Sequence, residues 1–218
     1  MNADTLASET PPRMAPVLPG FGHISRYWDR DHGAYVAKIL PGEYYVTTSA
    51  EIVMTVLGSC ISACVRDPIF GVGGMNHFML PESRDGSLGS WHNAGNSAAT
   101  RFGNFAMERL INDILKHGGA RQRLEVKIFG GGRILAKMTD IGQHNIDFIK
   151  AYVRDEGLKV VSEDTGDVFP RKVLYAPASG RAWVKRLRSM HNNTIVERET
   201  SYLQEIEKKP QQGDVELF

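Results

Sequence analysis

The sequence predicts an α/β domain built from mainly antiparallel or mixed β-sheet layers, with two principal helices packed outside. Three observations carry that expectation. Short β-branched and aromatic runs outnumber the helical stretches. Only two segments, 97–116 and 143–155, carry a long apolar stripe at three- and four-residue steps. Those two segments are separated by strand-like sequence, which favours helices covering a sheet over a helical bundle.

The elements follow in order. Residues 1–34 hold four of the ten prolines in the first twenty positions and show no periodicity. They read as a disordered or loosely docked leader on which Phe21, Tyr27 and Trp28 could settle. The runs AYVAKI and EYYVTT, split by Pro41-Gly42, read as two short strands. Strands are expected at 52–57, 60–66 and 71–79, because their apolar runs are strand-length and lack helix caps. Residues 82–96 are rich in Gly, Ser and Asn and read as a long loop. The first helix has Phe102, Phe105, Ala106, Leu110, Ile111, Ile114 and Leu115 on one face and stops at Gly118-Gly119. A strand at 123–129 runs into Gly130-Gly131-Gly132. The second helix turns Ile146, Ile149, Tyr152 and Val153 inward. Strands at 158–164, 171–176 and 181–187 follow, the last two joined as a hairpin by Pro177-Ala178-Ser179-Gly180. Residues 35–190 thus form the domain. Residues 191–218, with six acids and three bases from 196 onward, read as a charged, mostly acidic tail, solvated and partly helical or disordered.

Composition narrows the function. A net charge of +1 over 218 residues argues against bulk nucleic acid as partner. Residues 1–20 contain Asp4, Glu9 and Arg13 and lack an apolar core, unlike a secretion signal. The most apolar stretch, 52–65, is too short and too polar to insert in a membrane. A cytoplasmic location is the expectation. The only cysteines, Cys60 and Cys64, would lie roughly 13 Å apart on a strand at about 3.3 Å per residue, too far for a disulfide.

Cys60 and His77 are the candidate chemical pair. A hairpin with a four-residue loop at Asp67-Pro68-Ile69-Phe70 would set Cys60 directly opposite His77, with Cβ atoms about 4.5–5.5 Å apart. An imidazole at that distance activates a thiol as nucleophile. Gly58-Ser59 would let the backbone turn just before the thiol and free amides for an oxyanion. The pattern by itself leaves open a core cysteine beside a satisfied histidine. Cys64 is read as core. A metal bound by Cys60, Cys64 and His77 lacks a zinc-like spacing and a fourth ligand.

The segment LGSCISACVRDPIFGVGGMNHFMLP closely resembles the signature of the CheD family of chemoreceptor glutamine deamidases, and FGGGRIL, DIGQHN and SEDTGD agree with it. The resemblance covers about 36–188. It implies a fold similar to the cytotoxic necrotizing factor catalytic domain. It also implies deamidation of receptor glutamines through a cysteine thioester, with Cys60 as nucleophile, His77 as base and acid, and no cofactor. The family places a hydroxyl residue shortly before the cysteine as third member. Met54 stands at the matching position and Thr55 is the nearest hydroxyl. Thr55 and Cys60 would share a face only if the strand breaks at Gly58. The implied partners are chemoreceptor cytoplasmic helices and a CheC phosphatase. A non-enzymatic module stimulating such a phosphatase, and a cysteine protease or transglutaminase, are the competing functions.

Six basic residues and no acid in 171–190 read as a solvated strand face or as a steering surface for acidic helices. The triple glycine lacks phosphate-loop spacing and reads as close backbone packing.

Overall fold

The computed structural model describes residues 11–81, 98–134, 141–188 and 193–208. The long loop expected at 82–96 lies outside them. Among the described residues, ten strands form two five-stranded sheets. The first sheet has the order β1 (Ser25–Asp29), β2 (Ala34–Lys38), β4 (Ile52–Leu57), β9 (Arg171–Ala176), β10 (Arg181–Arg186). The second has the order β3 (Tyr44–Thr47), β6 (Gly73–Asn76), β5 (Ile61–Arg66), β7 (Glu125–Gly130), β8 (Lys159–Thr165). Only β2–β4 and β7–β8 pair in parallel; the other pairs are antiparallel. The mixed, mainly antiparallel α/β architecture is the one the sequence predicts.

One apolar core joins the two sheets. Val53, Leu57, Val173 and Tyr175 of the first share it with Ala63, Val65, Val126 and Ile128 of the second. Helices α1 (Ala98–Lys116) and α2 (Ile141–Asp155) cover the second sheet and contact each other. Their buried stripes are those read from the sequence: Leu110, Ile111 and Ile114 on α1, and Ile146, Ile149, Tyr152 and Val153 on α2. Phe105 is the exception, lying at the surface beside Arg109.

Both terminal segments contribute elements to the packed domain: Phe21 of the leader docks as the sequence allows, and the helical part of the tail is packed rather than solvated. Within the leader, Ser25–Asp29 pairs with β2 as an edge strand, and Phe21 is buried with edge-on contacts to Tyr44 and Tyr45. Residues 11–24 lack periodicity because they are anchored one side chain at a time. In the tail, Asn193–Lys208 forms a third helix, α3, that buries Glu199, Leu203 and Ile206. Burying two such aliphatic side chains stabilises docking by about 1.5–3 kcal/mol each. The acidic composition hides this, because the apolar positions recur only once per turn among charges.

The hairpin carrying the candidate pair has a longer turn than expected. The ladder pairs Arg66 with Gly73, Val65 with Gly74 and Cys64 with Met75. Asp67 N–H donates to Val72 O at 2.9 Å, so six residues, 67–72, make the connection. The cause is Asp67, fully buried, whose carboxylate accepts from the amides of Ile69, Phe70 and Ala120 and from Arg123. A side chain serving as hub for those donors holds a wider loop than a minimal turn.

Candidate active site

The strand from 52 does break where the sequence required it to. Strand β4 ends at Leu57 in the first sheet and β5 begins at Ile61 in the second. Gly58, Ser59 and Cys60 are the crossing. Thr55 approaches from β4, Cys60 from the crossing, and His77 from the end of β6.

In the observed register Ile61 bridges Phe78, so His77 stands one diagonal step from Cys60 rather than opposite it. A slip of two residues keeps every side chain on its face, and diagonal neighbours remain within reach of long side chains. The direct-opposition expectation is therefore corrected, while the shared face survives.

His77 is held at both ends of its backbone: its N–H donates to Glu43 O at 2.9 Å, and its carbonyl accepts from Gly42 N at 2.8 Å. Its ring is held by Thr55, with Thr55 Oγ1 2.7 Å from His77 Nδ1. Thr55 Oγ1 also lies 2.9 Å from Ile39 O. A carbonyl only accepts, so the single hydroxyl proton of Thr55 goes to Ile39. Thr55 then accepts from His77, which places the ring proton on Nδ1 and leaves Nε2 with its lone pair. Nε2 is buried and has no hydrogen-bond partner among the described residues.

The crossing presents its amides to one side. Each carbonyl is tied away: Gly58 O accepts from Gly132 N at 2.7 Å, Ser59 O from Asn145 Nδ2 at 2.9 Å, and Cys60 O from Gly131 N at 2.8 Å. The triple glycine thus packs backbone to backbone against the crossing, as the sequence suggested. A side chain at Gly130, whose φ is 114°, would collide with the Cys60 carbonyl. With the carbonyls turned outward, the N–H groups converge into an anion-binding concavity.

A carboxylate fills that concavity. Glu199 Oε1 accepts from Gly58 N at 2.7 Å and Cys60 N at 3.3 Å. Its Oε2 accepts from Ser59 N at 2.8 Å and Ser59 Oγ at 2.6 Å. A Cβ on Gly58 would stand 2.7 Å from Oε2, so glycine there lets the anion approach. Cys60 Sγ, a His77 ring nitrogen and a Glu199 oxygen lie within 4.8 Å of one another. Those three could in principle hold a metal. Both carboxylate oxygens are already occupied by N–H and O–H donors, however, which fits an anion hole better than a ligand set. Cys64, the other cysteine of the metal option, faces the core on β5.

The closed site favours neutral partners. Burial pushes the Cys60 thiol well above its ordinary value, and the Glu199 carboxylate adds to the shift. Burial lowers His77 to about 3, with the Arg198 cation contributing in the same direction. In this arrangement the pair is thiol and imidazole, not thiolate and imidazolium.

Sequence reasoning passed over two of these groups. Asn145 lies on the inward stripe of α2, four residues before Ile149, and is fully buried. Besides Ser59 O it binds Leu80 N through Oδ1 at 2.9 Å. A polar residue on an otherwise apolar stripe was its signal. Glu199 had a weaker one, its spacing to Leu203 and Ile206. Of the basic residues in 171–190, Arg171 is buried and paired with Asp164, and Arg186 also reaches Asp164. The solvated-face reading fails for Arg171 alone, since Arg186 makes its contact from an exposed position. Trp183 stacks under Arg181.

A family model described as CheD chemotactic sensory transduction matches residues 79–186, beginning two residues past His77. The chain is 58% identical over 201 residues to a protein of Halorhodospira halophila named probable chemoreceptor glutamine deamidase CheD, covering 92% of this chain and 93% of that one. Proteins of the same name from Hahella chejuensis and Hydrogenovibrio crunogenus are 48% and 54% identical, covering all and 87% of this chain and all and 97% of theirs. Among the described residues no helix is long and apolar enough to cross a membrane. On the strength of these full-length identities, the chain belongs to the CheD family.

Proposed function

We propose that this protein deamidates glutamine side chains of chemoreceptors in chemotaxis adaptation, with Cys60 as nucleophile, His77 as general base and acid, and Thr55 as the residue that orients His77. The observation that carries the reading is the meeting of a cysteine, a histidine with an unprotonated Nε2, and a cluster of backbone amides already holding a carboxyl group. The substrate class comes from the printed names of the relatives. The cytoplasm, where receptor helices are accessible, is the corresponding location.

The steps follow from the groups present. His77 Nε2 takes the Cys60 proton as Sγ forms a bond to the glutamine carboxamide carbon. The amides of Gly58, Ser59 and Cys60 receive the developing oxyanion, for which they are already oriented. Protonated His77 returns its proton to the nitrogen, the C–N bond breaks, and ammonia leaves. Water, deprotonated by His77, adds to the thioester. The C–S bond breaks, protonated His77 returns its proton to Cys60 Sγ, and the glutamate side chain departs. Thr55 keeps the ring proton on Nδ1 through each half-reaction, as the buried acceptor does in hydrolases of this logic. The chemistry requires no cofactor.

Peptide mass spectrometry of a receptor cytoplasmic fragment, incubated with the protein or with Cys60→Ala, tests the assignment. Conversion of glutamine to glutamate by wild type alone supports it. No conversion of a matched receptor by either protein defeats it and favours a module that binds a CheC-type phosphatase.

A further inference from the structure

The group in the oxyanion hole is a glutamate, which is the product side chain of the proposed reaction, and it is delivered by a helix of the same chain. Its oxygens engage the three amides that the reaction assigns to the oxyanion, and one oxygen also accepts from Ser59 Oγ. With α3 in place the site is closed: Cys60, His77 and Glu199 are 0%, 1% and 1% exposed. No substrate reaches Cys60 while α3 stays in place.

The rest of α3 grips the domain on the same side. Leu203 and Ile206, four and seven residues past Glu199, are buried in the main core. Tyr202, three residues past it, packs over Gly42, where an added Cβ would meet its ring at 3.0 Å. Tyr202, Gly42, His77 and Phe78 line one cavity. Arg198 brings a positive charge toward His77 and Glu199 a negative charge toward Cys60. Both charges oppose the thiolate–imidazolium pair, so departure of α3 would ease formation of the reactive form as well as uncover it.

We infer that α3 is an internal product mimic: it lies where a substrate helix lies and must withdraw before the site accepts a helical segment. Such a segment would present glutamine in place of Glu199, followed by bulky apolar or aromatic side chains three, four and seven residues on. The inference rests on the deamidase reading and deepens it, because it names the shape of the substrate and the element that regulates access. Glu199 itself is inert. A carboxylate resists attack by a thiolate and carries no nitrogen to release. Glutamine at the same position would be a substrate in cis once its side chain turns so that the oxygen keeps the amides and the nitrogen, a donor only, leaves Ser59 N–H. Cys60 Sγ then bonds to Cδ as His77 takes the thiol proton, and the C–N bond breaks as His77 passes that proton to the departing ammonia. Water adds, and the C–S bond breaks with the proton returned to Sγ, leaving glutamate.

The test uses the full chain with Glu199→Gln, Glu199→Gln combined with Cys60→Ala, and Leu203→Asp, which loosens α3 outside the site. Position 199 is read by peptide mass spectrometry. Cys60 exposure is read by its alkylation rate with iodoacetamide, and a receptor fragment is assayed alongside. Glutamine at 199 should convert to glutamate at a rate independent of protein concentration, and only when Cys60 is present. Leu203→Asp should speed alkylation by about tenfold or more, since the rate follows the open fraction. If the receptor fragment is converted while glutamine at 199 is not, α3 is not held in a substrate pose and the inference falls with the deamidase reading intact. If neither is converted, the deamidase reading falls and takes the inference with it. Unchanged alkylation in a Leu203→Asp variant with wild-type circular dichroism also overturns it. Should that variant fail to fold, the conversion at position 199 decides.

Discussion

Thr55 Oγ1 sits 2.7 Å from His77 Nδ1, joining the first sheet to the second at the site, and its own proton is committed to Ile39 O. That commitment makes Thr55 an acceptor and fixes the tautomer of His77. Thr55→Val keeps the shape and removes the acceptor, so the Nδ1 proton loses its partner. Deamidation kcat should fall by roughly ten- to a hundredfold, at or below the lower end of the about 10²–10⁴ supplied by a full general acid–base group, with KM little changed. Thr55→Ser should keep most activity. Equal activity in valine and serine variants would remove Thr55 from the mechanism.

Asn145 binds Ser59 O and Leu80 N from the buried face of α2. Asn145→Leu leaves both backbone groups unpaired, at a cost of about 1–3 kcal/mol each. Urea unfolding should report a loss of that order. The freed Ser59 carbonyl would also let the crossing peptide rotate, so kcat should fall more than the stability loss explains. A variant with normal kcat would show that the amides hold their orientation without Asn145.

Asp67 should govern the hairpin. The Arg123 guanidinium and the amides of Phe70, Ala120 and Ile69 hold its carboxyl well below the ordinary carboxylate range, against its burial. Asp67→Ala strands those amides and should destabilise the fold by about 2–4 kcal/mol, as loss of a buried network does. Asp67→Asn, which retains an acceptor oxygen, should cost less. The two midpoints in thermal or urea denaturation distinguish a hub from an incidental ion pair.

His77 sets a pH dependence of stability. Its folded value near 3 lies below the ordinary 6.5, so the unfolded chain binds the extra proton between those two pH values. The neutral ring's contribution is intact above about pH 6.5 and is lost as pH falls toward 3. Between pH 6 and pH 4, wild type should lose stability relative to His77→Gln by about 1.4 kcal/mol per pH unit. Parallel pH profiles for the two proteins would contradict the buried neutral histidine.

Much of this site is legible without coordinates. The pairing of Cys60 with His77 follows from alternation and a turn, and it survives an error in turn length because a two-residue slip preserves the face. The requirement for a break at Gly58 follows from the five-residue spacing of Thr55 and Cys60, and the crossing between sheets supplies it. The turn length itself was not legible. It depends on Arg123 and Ala120, more than fifty residues away, meeting the Asp67 carboxylate.

What the sequence determined by itself is local: the strands from β2 onward, the two stripes of α1 and α2, and a thiol and an imidazole on a shared face, all set by periods of two and 3.6 residues. What the tertiary structure decided is long-range. Asn145 reaches Ser59 across 86 positions, and Glu199 reaches the same residue across 140. No periodicity spans such distances. An acid among acids reads as solvated until packing of Leu203 and Ile206 carries it into a ring of amides that can replace its water.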